Sequence, residues 1–562
     1  MGVCDGLWVY SKSLVVFLYV VENMTIRRTS VVIVGGGHNG LAAAAYLARA
    51  GVSVTVLERL ESFGGAAVSA QTFAGVDASL SRYSYLVSLL PSQIQEELGL
   101  NISLASRRYS SYTPIPGESA GLLVDNQDPA VTEASFAGLG ASGDFSNWKK
   151  FYSATQELAS EIWPSVLSPL RRRSAWRESV SNPETWQKLI ERPIGQAISE
   201  AFEDNLVRGV VYTDALIGTF SSNRDETLNA NKCFLYHVIG GGTGEWNVPI
   251  GGMGTVSKEL ERAAIRFGAR LVPNAEVERI TSTDHGVTVH YQEGGEKQKI
   301  AADLVLANAS RQELARIVEQ ASITNPIPSD SKIYPFGSQV KVNLLLSRLP
   351  RLRDESVTAE AAFGGTFHIN ETFSQLQLAF EAASRGEIPD PMPCEIYCHS
   401  LTDPSILGPE LRKSGAQTLT VFALHAPHSL VADLSEAQHT LIRGRLQQAV
   451  LDSLNSVLAE PIQDLLLSDE NGEPCIETKT TRDLEDALRL PGGNIFHEPL
   501  SWPFAEDDEP LDTPAQRWGV QTNLKNILIC GSSARRGGAV SGIAGHNAAM
   551  AALEILEQGL SS

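Results

Sequence analysis

Val31-Val32-Ile33-Val34-Gly35-Gly36-Gly37-His38-Asn39-Gly40-Leu41-Ala42-Ala43-Ala44-Ala45-Tyr46-Leu47 is the stretch whose reading decides the fold. Four β-branched residues in a row read as a buried strand, the glycines as a turn, and the alanine-rich run as a helix. Gly35 permits a tight turn off the strand, Gly37 lets the backbone approach a pyrophosphate, and Gly40 lets the helix pack close to the sheet. Unpaired N–H groups and the positive end of the helix dipole then meet phosphate charge. After Gly51, Val52-Ser53-Val54-Thr55-Val56-Leu57 reads as a second strand. It ends in Glu58, 18 residues past Gly40, where a carboxylate can accept hydrogen bonds from ribose hydroxyls. Strand, turn, helix, strand and acid together predict a dinucleotide site; a glycine-rich structural turn is the alternative for the motif alone.

At 562 residues the chain exceeds one ordinary core, so two or three lobes are expected. Apolar content of 43% and charged content of 20% are those of a soluble globular protein. A net charge of −20 opposes nucleic acid and strongly anionic lipid as partners, since both select basic surfaces. One basic cluster, Arg171, Arg172, Arg173 and Arg177, reads as a solvated loop or helix end, with peripheral membrane contact as its alternative. The six cysteines include no C-x-x-C pair. Cys394 and Cys398 fall on a strand-like segment, packed rather than redox-active. This usage fits a reducing cytoplasm and predicts neither a disulfide framework nor a metal site. Residues 1–23 read as a leader outside the fold. Its apolar run from Leu14 to Val21 is too short to span a bilayer and lacks signal-peptide flanks. The leader is expected to be an upstream extension of the reading frame before Met24, against a membrane-touching tail.

The nucleotide-binding pattern is interrupted twice. Segments 24–82, 240–312 and 515–562 are expected to form one discontinuous α/β domain, and 83–239 with 313–514 an α+β second domain. Strands are expected around 276–280, 287–291, 302–307, 340–346, 418–423 and 526–531, with a terminal helix from Ile543 to Gln558. The stretch from Asp125 to Asn147, rich in Gly and Asp, reads as a surface loop. Ile194, Ile198, Ala201, Phe202 and Leu206 recur at helical spacing as a core stripe.

Only one full dinucleotide fingerprint is present, whereas a reductase with its own nicotinamide domain would want two. At the far end, Gly537-Gly538-Ala539-Val540-Ser541-Gly542 opens the terminal helix. Its positive end can stabilise charge on a reduced flavin, which favours FAD over NAD. The head (Val31 to Gly65), middle (Gly244 to Gly254) and tail (Cys530 to Ala549) together resemble the phytoene-desaturase-like FAD-dependent oxidoreductases. The likeness is nearest to pyridine nucleotide-disulfide oxidoreductase domain-containing protein 2 and its bacterial relatives. Tyr83 to Leu90, Gly365 to Ile369 and Gly492 to His497 support it. The resemblance implies an FAD-binding, Rossmann-like domain of glutathione-reductase or amine-oxidase type, and a substrate domain with an apolar tunnel. It implies FAD contacts at Gly35, Gly37, His38, Asn39, Gly40, Glu58, Arg59, Gly64, Gly65 and Ala66. Val277 is implied on the adenine side, and Gly531, Ser541, Gly542 and Ile543 beside the flavin.

The chemistry that the resemblance implies is hydride removal from a carbon of a hydrophobic, polyene or isoprenoid-like molecule, with oxygen or a quinone as acceptor. Such chemistry requires neither a triad nor a metal. His497 and His368 are the catalytic candidates, followed by His425 and His546, as imidazoles that take a proton from substrate or polarise it. An ordinary hydrogen-bonded histidine is the alternative for each. Tyr83, Tyr85, Trp246 and Phe496 are candidates for the pocket wall or for core packing. Alternative functions are a flavin amine oxidase, an FAD enzyme of net non-redox isomerisation or cyclisation, and a flavin-bearing scaffold without turnover.

Overall fold

The computed structural model describes residues 27–284, 286–318 and 337–561. The leader and Met24 lie outside the described residues. Five parallel strands pair in the order Arg270–Val272, Val54–Leu57, Val31–Val34, Leu304–Ala307 and Ile527–Ile529. All residues of the last four are buried, which explains continuous apolar runs in place of alternation. The helix His38–Arg49 packs on Gly254–Arg266 and on Ile543–Ser561. The latter approach depends on Gly545, where a Cβ would lie 2.0 Å from the Asn39 carbonyl oxygen. A meander of Ala275–Thr283, Gly286–Glu293 and Glu296–Ala302, edged by Arg27–Arg28, shares this core.

A second, seven-stranded sheet runs Ile476–Lys479, Val340–Leu346, Gln417–Ala423, Cys394–Tyr397, Thr366–Ile369, Tyr109–Pro114, Gly121–Asp125. Its pairings are antiparallel except between Thr366–Ile369 and Tyr109–Pro114. Leu446, Val450 and Leu454 of the helix Glu436–Val457 join its core, as do Cys394 and Cys398. Helices between residues 129 and 238 form a separate apolar layer. The architecture is therefore a parallel α/β unit assembled from separated segments, with an α+β unit beside it.

The expected loop between Asp125 and Asn147 is instead two helices, Pro129–Gly138 and the start of Ser142–Ile162. Asp128 caps the first through a bond from the Ala130 N–H (3.0 Å), with Pro129 at the first helical position. Phe136 and Phe145 anchor the pair in the core, and the polar residues that suggested a loop are divided between outer faces and buried hydrogen-bonding positions such as Asp125 and Asp144. The stripe from Ile194 to Leu206 is split into Ile194–Ala201 and Asn205–Thr213. The buried Asp144 carboxylate accepts the N–H groups of Glu203 (3.0 Å) and Asp204 (2.7 Å) at the break.

The arginine cluster is engaged by the protein itself. Arg171 covers Trp176 at 4.1 Å, and Arg172 donates to the carbonyls of Glu506, Asp507 and Glu509. Arg173 forks onto Glu506 (2.6 and 2.7 Å), and Arg177 faces Glu191 at 3.8 Å. Among the described residues, no helix is long and apolar enough to cross a membrane.

Candidate functional site

Off the strand Val31–Val34 the backbone turns at Gly35 with φ +95°, a conformation that side chains resist. A Cβ at Gly35 would lie 2.7 Å from the Asn308 carbonyl oxygen, and one at Gly40 would lie 2.3 Å from that of Gly35. Gly37 caps the following helix without any side-chain bond, and no acidic residue stands in the first turn. Its orphan N–H groups therefore sit at the rim of a large cavity lined by Gly35, Gly37, His38 and Asn39. Gly65 and Ala66 line the cavity opposite, with a Gly65 Cβ position 3.1 Å from the Gly37 Cα.

Glu58 is buried at the end of its strand and is already oriented. It accepts the Gly36 N–H through Oε2 (2.7 Å) and the Leu60 N–H through Oε1 (2.8 Å). Each oxygen retains a second lone-pair direction for a ribose hydroxyl. Arg59, tied to the Ala487 carbonyl (2.7 Å), and Val277 with Ala275 and Glu276 also line this cavity. Leu484, Leu488 and Arg489 add a wall from the second excursion, with Arg489 paired to Glu276 and to Glu313 (2.9 Å).

Asn308 pins the cradle, although its only sequence signal is its place at the end of a buried strand. Its Nδ2 donates to the Gly35 carbonyl (3.1 Å) and occupies the space that Cβ atoms at Gly37 and Gly40 would need. At the far terminus the wall is Ser532 with Gly538, Ala539 and Val540. Gly531, Ser541, Gly542 and Ile543 stand behind that wall, one layer away from their expected place. The Ser541 hydroxyl accepts the Ile543 N–H (3.2 Å), Gly542 packs toward Ile94 and Ala42, and Ile543 joins the helical core. Gly40 and Gly64 are likewise packing positions behind the lining.

The cavity extends well past the glycine turn. Beyond the glycine turn its walls include Tyr83, Tyr85, Trp246, Phe422 and Phe496, so all four aromatic candidates bound it. His497 bounds it too, on a left-handed backbone (φ +65°), with Nδ1 buried and lacking a hydrogen-bond partner. Burial, with a smaller contribution from His38, pushes its pKa down to about 4, which leaves the imidazole neutral and able to accept a proton. Ala539 and Arg489 on the same walls also have positive φ, so backbone strain gathers around this space.

Lys341 is a polar group of this region that the sequence reading passed over. It interrupts the fully buried run Val340–Leu346, which is the signal that could have found it. Nζ donates to the carbonyls of Ser81 (2.7 Å) and Ser84 (2.9 Å), and burial lowers its pKa to about 7. It lines a small annex that shares Tyr83, Phe422, Leu484 and Ile495 with the main cavity.

The two leading histidine candidates are not brought together. His368 lines a second chamber, which shares Tyr85, Leu86, Ile217, His237 and Trp246 with the first. His368 pairs in register with Glu395, and its Nδ1 lies 2.6 Å from Oε2 of Glu371. Glu395 accepts the Tyr397 hydroxyl (2.7 Å). Burial lowers the His368 pKa, raises that of Glu371 well above the usual carboxyl range, and raises that of Glu395 to about 8. Ligand-type atoms of His368, Glu371 and Glu395 lie within 4.8 Å of one another, a grouping that spacing did not announce. Burial disfavours the charged form of each of the three groups. His425 packs between Phe220 and Phe380, and His546 against Tyr46 and Trp518 with a bond to Asn547 (2.9 Å). Neither lines either space.

Residues 40–382 match the family model of flavin containing amine oxidoreductases. The chain belongs to this family. It is 51% identical over 542 residues to an uncharacterized protein of Mycobacterium tuberculosis, covering 94% of this chain and 98% of the relative. It is 28% identical over 559 residues to pyridine nucleotide-disulfide oxidoreductase domain-containing protein 2 of Rattus norvegicus, covering 92% of each. Over 271 residues, 46% of this chain and 47% of the other, it is 41% identical to one of the subunits of limonene dehydrogenase from Castellaniella defragrans. In fold it is similar to a variant of putrescine oxidase redesigned in its cofactor binding (TM-score 0.54, 16% identity, 95% of this chain and 100% of the other).

As a member of this family the protein uses FAD, and its own residues fit that group. Bare glycine surfaces at Gly35, Gly37 and Gly65, an uncapped helix start, an oriented Glu58 and an orphaned Asn39 Oδ1 converge on one cavity. Backbone amides can hold the pyrophosphate and Glu58 the ribose, with the Ser532 and Gly538–Val540 wall left for the other end.

Proposed function

We propose that this FAD-dependent oxidoreductase removes a hydride from a carbon of a hydrophobic small molecule, in the manner of a phytoene-desaturase-like dehydrogenase or oxidase. The observation that carries the reading is the aromatic and aliphatic wall joined directly to the dinucleotide cradle: Tyr83, Tyr85, Trp246, Phe422, Phe496 and Leu500. Such a wall orients an apolar molecule by shape and excludes water from the reacting carbon. The relative named for limonene dehydrogenase supports a hydrocarbon-like substrate, since limonene is an isoprenoid hydrocarbon. FAD, when bound, supplies the hydride acceptor. His497, neutral and with a free ring nitrogen, takes the proton released from the neighbouring carbon. Oxygen or a quinone then serves as the electron acceptor.

A flavin amine oxidase is the second reading, favoured by the carboxylate of Asp214 in the adjoining chamber, where a substrate ammonium would find charge. Anaerobic titration of the holoenzyme with limonene or a longer isoprenoid hydrocarbon, and in parallel with putrescine, separates the two. Bleaching of the flavin band by the hydrocarbon alone is the expected result; bleaching by the amine alone overturns it. His497→Asn, which tolerates the left-handed backbone, should keep its flavin and slow hydrocarbon-driven bleaching by about 10²-fold. An unchanged rate would remove His497 from the chemistry.

A further inference from the structure

The second chamber contains a cation that the protein leaves without a counter-ion. Arg107 donates through Nε to the Trp246 carbonyl (3.2 Å) and through Nη1 to the Thr366 hydroxyl (3.2 Å). Among the described residues no carboxylate comes within ion-pair reach of it, and Nη2 has no bond to any of them. Arg311, by contrast, faces Glu498 at 3.5 Å, while the buried Arg536 donates to the carbonyls of Ser165, Ser168 and Trp518 with its Nε left unpaired. A half-buried guanidinium with half its fork unused keeps a donor pair free for an incoming anion.

The neighbouring acids do not meet that need. Neither Glu395 nor Glu371 forms an ion pair with Arg107, and burial disfavours the charged form of both. Asp214 also lines the chamber; burial raises its pKa to about 6, so it is ionised at pH 7 but too distant to pair. The rest of the lining is mixed: Trp148, Tyr152 and Val210 are apolar or aromatic, Asn126, Gln127 and the exposed Glu245 are polar, and Tyr85 with Trp246 lies between this chamber and the flavin-side cavity.

The geometry points to a carboxylate-bearing amphiphile as the substrate class, its acid group forked onto Arg107 in the second chamber and its apolar body passing the Tyr85–Trp246 wall toward the flavin. Arginine presents the planar donor pair that a carboxylate matches in two parallel hydrogen bonds. This inference rests on the apolar-substrate reading above and adds to it the chemistry of the substrate's far end.

The test is calorimetric binding to the holoenzyme at pH 7.5 of three chains of equal length: dodecanoate, 1-dodecanol and dodecylamine. Dodecanoate should bind at least about tenfold more tightly than the alcohol, and the amine no better than the alcohol. In Arg107→Gln the acid should fall to within about twofold of the alcohol while alcohol affinity is kept; Arg107→Lys should recover part of the preference. Equal binding of acid and alcohol by the unmodified protein, preference for the amine, or an acid preference that survives Arg107→Gln would each overturn the assignment to Arg107 and leave the apolar-substrate reading standing. If none of the three binds, the apolar-substrate reading falls and this inference with it. The comparison in the unmodified protein decides the matter even where a variant fails to fold.

Discussion

The glycine cradle and the Arg107 chamber lie on either side of one aromatic wall and are built from opposite materials. The cradle is mostly backbone: bare Cα surfaces, an uncapped helix start and one carboxylate fixed by two N–H groups. The chamber is side chains, with Arg107, Asp214, His368, Glu395 and Tyr397 delivered by distant segments. Backbone sites depend on the absence of atoms, so they fail by overcrowding. Side-chain sites depend on protonation and hydrogen bonding, so they fail by titration or truncation.

That contrast can be broken most forcefully at Gly40. Gly40→Val forces side-chain atoms into the Gly35 carbonyl, so loss of bound flavin and destabilisation of about 3 kcal/mol or more are expected. Flavin absorbance per protein and urea unfolding read both; full flavin content would refute the overcrowding account. The chamber's titration comes next. The Glu395 carboxyl keeps its proton up to about pH 8 when folded but releases it near 4.5 when unfolded. The native state therefore binds more protons in that window, and stability falls as pH rises through it before levelling above pH 8. Glu395→Gln should flatten this slope, worth on the order of 3 kcal/mol, in melting curves from pH 5 to 8.5. Identical slopes in both proteins would exclude Glu395 as the titrating group.

Glu58→Gln is the gentler probe of the cradle. The Gly36 N–H keeps an acceptor but loses the charge, so FAD affinity should drop by about 1.5–3 kcal/mol with the fold retained. Fluorescence titration of the apoprotein measures it, and dodecanol binding in the chamber should not move. Tyr397→Phe should have the smallest effect. It removes one hydrogen bond to Glu395, about 1 kcal/mol, and leaves flavin content untouched. A loss of flavin in this variant would show the two sites to be coupled across the Tyr85–Trp246 wall.

The two regions also differ in how far they could be read. Gly35, Gly37, Glu58 and the strand Val31–Val34 are neighbours in sequence, and each demand they meet is local: a positive φ, a close approach, a buried run. Asn308, which holds that turn from 273 residues away, had no local demand to betray it. The terminal helix was recognised, yet the lining falls on Gly538–Val540 rather than Ser541–Ile543, because a Ser541 bond and packing on Ile94 turn the helix start inward. The chamber was legible only as His368 and two wall aromatics, Tyr85 and Trp246. Its partner Glu395 is opposed by strand register, and Arg107 and Asp214 arrive from other segments entirely. The missed helix Pro129–Gly138 shows the same limit, since polar residues mark an outer face as readily as a loop.

The sheet order has a consequence for how the protein is made. The central strand Val31–Val34 pairs with Leu304–Ala307, which in turn pairs with Ile527–Ile529 near the far terminus. The first part of the cofactor cradle thus leaves the ribosome more than 490 residues before the edge strand that completes its sheet, and before the Gly538–Val540 wall. The cradle is accordingly incomplete until Ile527–Ile529 and the Gly538–Val540 wall have been synthesised, and until then the nascent chain carries an unfinished parallel sheet whose exposed edge invites wrong pairing.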